Sequence, residues 1–181
     1  RDRTCAALDG RSASNDSNVT VTSTLPIMTD NVTFTFGGKS ETVQLIVVPD
    51  DRTSDLGDYV RLEDESKEPL PLRDGDVYLS KSSQLVLGIQ PGDTAHVQDS
   101  SLNVAKVKVS DISLNYLGNT LYMTQGTYER TFGRSARLNG IFALLKGSSA
   151  DQIAFSKNLK SDGWLTISST CLLYTSPSPR D

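Results

Sequence analysis

The sequence predicts an α+β fold of two lobes, a β-α-β type lobe with an inserted β-rich lobe. Three observations lead there. Apolar residues alternate with Thr and Ser over short runs, the period of a half-buried strand. Short stretches with Ser or Thr in front and Gly behind read as capped helices. Finally, the chain opens with strands and closes as strand, helix, strand, helix, strand, with a β-rich stretch between.

The elements follow in order. Residues 1–30 form an N-terminal fragment, partly disordered, in which Arg1 to Asn18 is a polar loop and Val19, Val21 and Leu25 suggest a strand. The main domain is expected over residues 31–170. Val32, Phe34 and Phe36 alternate with Thr33 and Thr35, and Gly37-Gly38 signals a hairpin because both glycines tolerate positive φ. The return strand is Thr42 to Val48, ended by Pro49-Asp50-Asp51. The β-rich insertion is expected over about residues 56–117. Within it Tyr59 to Leu62 reads as a short strand and Glu63-Asp64-Glu65 as a solvated turn. Asp74-Gly75 is a turn leading into a strand at Val77 to Leu79, and Ser80 caps a helix that Gly88 ends. Pro91-Gly92-Asp93 suits a type II turn. Thr94 to Gln98 and Ala105 to Leu114 read as paired strands.

Leu121 to Met123 is a further strand, and Thr124 caps a helix reaching about Phe132. Asn139 to Lys146 reads as a buried strand, and Ser149 as the cap of a helix with Asp151 at its positive end. Trp164 to Ile167 is a last strand.

Composition narrows the function classes. The chain has 181 residues, 36% apolar and 22% charged, enough for one domain or two small ones. Its net charge of -4 argues against nucleic acid, whose phosphates need clustered Lys and Arg. No apolar run approaches the ~18 residues of a membrane span; Leu45 to Val48, for instance, is a run of four that suits a buried strand. The chain has no leader and no initiator Met, and is expected to be a fragment cut at both ends. Its last residues, Cys171 to Asp181, back-translate to the transposase end and adapter of a sequencing library. They are read as an artefact and set aside, which leaves Cys5 alone, without an intrachain disulfide or a metal site.

Candidate catalytic groups are sparse. His96 is the single histidine, too few for a triad or a zinc centre, and reads as a surface strand residue. No serine lies in a G-x-S-x-G elbow, and no phosphate-binding glycine loop occurs. Asp74, Asp76 and Asp93 lack the spacing of a calcium loop and read as turn residues. The chain is therefore expected not to be an enzyme, and no cofactor or metal is expected. Tyr122 reads as a core residue and Tyr116, beside Gly118, as an exposed contact for a partner.

One ordered series remains: Asp74-Gly75, Leu79-Ser80-Lys81, Leu87-Gly88-Ile89 and Gly92-Asp93-Thr94, then Val107 to Ile112, Tyr116, Tyr122-Met123, Tyr128-Glu129 and Phe132-Gly133. In order and spacing it resembles the extracytoplasmic domain of FtsX-like and MacB-like ABC transporter permeases, over about residues 31–170. The chain departs from that pattern at Leu114-Asn115 and at Pro91. The resemblance makes Asp74, Gly75, Gly88, Gly92, Asp93, Tyr122, Met123 and Tyr128 architectural positions. It implies a bacterial domain outside the plasma membrane, held between transmembrane helices that are missing from the fragment. A cytoplasmic ATPase subunit would move it, to export a substrate or to regulate an extracellular protein. The alternative is an independent secreted or surface β-rich binding module.

Overall fold

The structure, a computed structural model, describes residues 18–114 and 118–161. The expectations for residues 1–17, for Tyr116, for the strand at Trp164 and for the tail from Cys171 lie outside these residues. The described residues divide into two compact units, Leu25–Phe142 and residues 18–24 with 143–161. The fold class is α+β, as expected.

Strand β1 runs unbroken over Thr20–Phe36, where the sequence suggested two strands. Pro26 does not stop it, because pairing with β2 (Lys39–Val48) reaches only to Met28 and the missing N–H has no ladder bond to lose there. Gly37 and Gly38 take φ of 57° and 76° at the hairpin, a pair of values that favours glycine. The remaining strands are β3 (Val77–Ser80), β4 (Thr94–Gln98), β5 (Val104–Lys108), β6 (Asp111–Ser113), β7 (Thr120–Thr124) and β8 (Gly140–Lys146). Their order is β5-β4-β1-β2-β7-β3-β6, with β8 beside β1. The strands that fall within residues 56–117 thus share one sheet with β1, β2 and β7.

The single strand expected from Ala105 to Leu114 is two. The Val109 N–H donates to the Asp93 carbonyl (3.0 Å), whereas the next N–H, of Ser110, donates to the Val77 carbonyl on the opposite side (2.8 Å). Here the chain changes neighbour, from β4 to β3. Because β5 and β6 stand at the two ends of the strand order yet lie only two residues apart, the sheet curls until its ends meet. Strand alternation then sends one set of side chains inward and the other outward. The inward set includes Val32, Phe34, Val43, Leu45, Val97, Leu121 and Met123, all buried. Helix α2 (Lys81–Leu87) adds Leu87 to it, and α3 (Gln125–Phe132) adds Tyr128. Burying each such side chain contributes roughly 1.5–3 kcal/mol.

The outward set carries a second cluster. Ile27, Ile46, Tyr78 and Tyr122 are covered by Leu56, Val60, Leu62 and Leu72 from the segment after β2. That segment begins with a 3-10 turn, Asp50–Asp55, and helix α1, Leu56–Tyr59. The strand expected at Tyr59 to Leu62 is absent. The Val60 N–H closes a helical turn on the Leu56 carbonyl (2.9 Å), and Leu56 and Val60 both face the core at helical spacing.

In the second unit, Val19 is buried, and the Thr22 hydroxyl donates to the Leu144 carbonyl (3.1 Å). Strand β8 is half-buried and not buried as expected; among the described residues it pairs with β1. Helix α4 spans Ser149–Ser161. Its cap is Ser148, and not the expected Ser149: the Ser148 hydroxyl accepts the Asp151 N–H (3.2 Å) and donates to the Asp151 carboxylate (2.6 Å).

Candidate functional site

Of the described residues singled out by the sequence, Asp74, Gly75, Gly88, Gly92 and Asp93 fall at turns and helix ends, while Tyr122 and Met123 lie within β7 and Tyr128 within α3. Asp74 and Gly75 form the turn before β3 and dock on the first turns of α3. The Asp74 Oδ1 accepts from Arg130 Nη2 (2.5 Å), Thr127 Oγ1 (3.3 Å) and Thr124 Oγ1 (3.5 Å). The Gly75 N–H donates to Thr127 Oγ1 (2.8 Å). The hydrogen bond from Arg130, ahead of its charge, holds the Asp74 carboxyl below the usual aspartate range. Asp50, at the end of β2, accepts the Gly126 N–H (2.9 Å), so a second carboxylate faces the positive end of α3. Thr124 is the cap, and its hydroxyl accepts the Thr127 N–H.

Gly88, at φ 71°, ends α2, with its N–H on the Gln84 carbonyl (2.8 Å). Gln90 to Asp93 is the expected turn: the Asp93 N–H returns to the Gln90 carbonyl (3.0 Å), and Gly92 holds the positive φ of 96° that a type II turn needs at its third position. The Asp93 carboxylate accepts the Gln90 N–H (2.9 Å) and fastens the turn from the other side. Tyr122 and Met123 are fully buried on opposite faces of β7. Tyr128 is buried and stacks on Phe132 at 4.8 Å, and burial pushes its phenol pKa up. Glu129 accepts the Ala136 N–H (3.0 Å), which secures the chain leaving α3.

Ser80 occupies the cap position of α2 but does not cap it. Its hydroxyl is drawn to β7 instead, where it accepts the Thr120 N–H (3.1 Å) and donates to Ser83 (3.2 Å).

Other polar anchors were not singled out in the sequence. Asp99, whose side chain is 3% exposed, organises the β4–β5 turn. It accepts the N–H groups of Ser101 (2.9 Å) and Asn103 (2.8 Å), the Asn103 amide, and Arg134 Nη1 (2.8 Å). Burial alone would raise its pKa. The Asn103 side chain, the two backbone donors and the Arg134 charge outweigh that, and the carboxyl lies below its ordinary value. The sequence signal was available, since an Asp followed by Ser-Ser-Leu-Asn at a strand end is an Asx-turn pattern. Asn139 offered no such signal. Its amide accepts the Thr29 N–H (2.7 Å) and donates to the Thr29 carbonyl (2.8 Å), standing in for a strand residue beside β1. Among the described residues no group of three or more His, Cys, Asp or Glu is placed to hold a metal ion. No described helix is long and apolar enough to cross a membrane.

No family profile and no curated protein sequence matches the chain. Among solved structures, the chain is similar to the periplasmic region of MacB from Actinobacillus actinomycetemcomitans, at 16% identity and a TM-score of 0.46, over 98% of this chain and 86% of that one. It is also similar to the extracellular domain of the noncanonic ABC-type transporter YknZ from Gram-positive bacteria, at 14% identity and a TM-score of 0.48, over 91% of this chain and 86% of that one.

Proposed function

We propose that the chain is a non-catalytic extracytoplasmic domain of an ABC transporter permease of the FtsX and MacB kind. A cytoplasmic ATPase, coupled through flanking transmembrane helices, would drive it, and the domain would pass that movement to an exported substrate or an extracellular protein. The observation that carries this reading is the ordered motif series from Asp74 to Gly133. Its Asp74, Gly75, Gly88, Gly92 and Asp93 sit at turns and element ends that tie neighbouring elements of unit Leu25–Phe142 together. A part that transmits motion has to move as a body, and a sheet closed on itself with tied-down helix ends resists internal deformation.

The experiment is an accessibility measurement on the complete reading frame in its bacterial host. Leu102, 74% exposed, is replaced by Cys in a Cys5→Ser background. A membrane-impermeant maleimide is expected to label it in intact cells, with the protein in the membrane fraction. Labelling only after lysis would overturn the reading, and release into the medium would favour the independent binding module.

A further inference from the structure

We propose that the outer face of strands β5, β4, β1 and β2 is a docking surface for an acidic protein segment. The proposal stands on the sheet alone and does not depend on the permease reading. The strand register places Lys106, His96, Thr35 and Ser40 side by side across the four strands. The next row is Val104, Gln98, Thr33 and Thr42. Their strand neighbours Ala105, Val97, Phe34 and Val43 are buried, so these two rows point outward, and each member is exposed or half-exposed. Lys108 extends the same face, roughly 7 Å along β5 from Lys106. The hydrogen bonds from Asp99 N–H to the Asn103 carbonyl and from Val109 N–H to the Asp93 carbonyl fix the alternation of the ladder. They make His96 and Lys106 a non-hydrogen-bonded pair, the closer kind, with Cα atoms about 4.5 Å apart.

The charge pattern on this face is the reverse of the chain's. The protein has 22 acidic residues against 18 Lys and Arg. Yet the carboxylates within these four strands, Asp30 and Glu41, stand two residues from the inward-facing Val32 and Val43, on the same face as these, and so lie on the other side of the sheet. Among the described residues neither Lys106 nor Lys108 pairs with a carboxylate. An ammonium pair and an imidazole without a counter-charge complement a partner that brings carboxylates. A second copy docking face to face would oppose lysine to lysine. A polyanion bound by counterion release needs more cations than two lysines, and no aromatic ring on this face offers a stacking platform. The Thr, Ser and Gln groups between them hydrogen-bond equally well to carboxylates and to peptide backbone.

The test is a titration of the 15N-labelled full chain, followed by amide shifts, with a decapeptide alternating Glu and Thr. Saturable shifts are expected at Lys106, His96 and Thr35. The double variant Lys106→Glu/Lys108→Glu should weaken the Glu peptide at least about tenfold and prefer a Lys/Thr peptide. Thr33→Ala/Gln98→Ala should weaken the peptide but not polyphosphate of matched charge. Absence of saturable shifts, or shifts elsewhere on the molecule, would overturn the proposal. So would polyphosphate binding as tightly as the peptide with Thr33 and Gln98 irrelevant to both.

Discussion

Asp99 shows how much one side chain fixes. Five hydrogen bonds from three residues, Ser101, Asn103 and Arg134, meet on a carboxylate that is almost fully covered, and replacing it weakens or removes them together. Asp99→Asn is expected to cost about 1–3 kcal/mol, read from urea unfolding at pH 7. The lowered pKa also sets a direction with pH. The folded protein holds this carboxyl below the ordinary aspartate value of about 3.9, so its contribution is fully present above that value. It is lost as pH falls through the lower folded pKa. The wild type should therefore lose more stability than Asp99→Asn between pH 5 and pH 2; equal losses would show that Asp99 is not titrating differently on folding.

Among the elements, helix α2 inverts the usual distribution. It buries Ser83, Gln84 and Leu87 and leaves Leu85 and Val86 71% and 52% exposed. The polar pair is drawn in because Ser83 joins Ser80, and Gln84 accepts from Lys81 (2.6 Å) and lies 3.3 Å from Gln90. Leu85→Ala is expected to change stability by less than about 0.5 kcal/mol, whereas Leu87→Ala should cost about 2–5 kcal/mol, both by thermal unfolding. Helices α2 and α3 and the turn at Gly92 were legible because caps and glycines are local signals: Thr124, Gly88 and Gly92 act within a few residues of themselves. The break between β5 and β6 was not, because it depends on Val77, more than thirty residues away, taking the Ser110 N–H. Likewise the Ser80 hydroxyl looked like a cap and was claimed by Thr120, a partner that sequence spacing cannot show.

At the level of the whole molecule, the α+β class was readable from alternation, and the curling of the sheet was not. Closure depends on which strands become neighbours, and the hydrophobic period of a strand is the same whichever neighbour it has. Phe34, fully buried inside the closed sheet, tests that arrangement. Phe34→Ala is expected to cost about 3–5 kcal/mol, with fluorescence and circular dichroism transitions of the unit Leu25–Phe142 staying coincident. The motif series was equally legible in sequence, but its meaning was geometric: Asp74 is a turn residue whose carboxylate accepts from a helix it meets fifty residues later.

The most direct test of the permease proposal is the sequence of the gene on both sides of the stretch that encodes residues 1–170. The account predicts an apolar segment of about 20 residues shortly before Arg1 and another shortly after Thr170, long enough to cross a bilayer. A signal peptide upstream and a stop codon soon after Thr170 would contradict it.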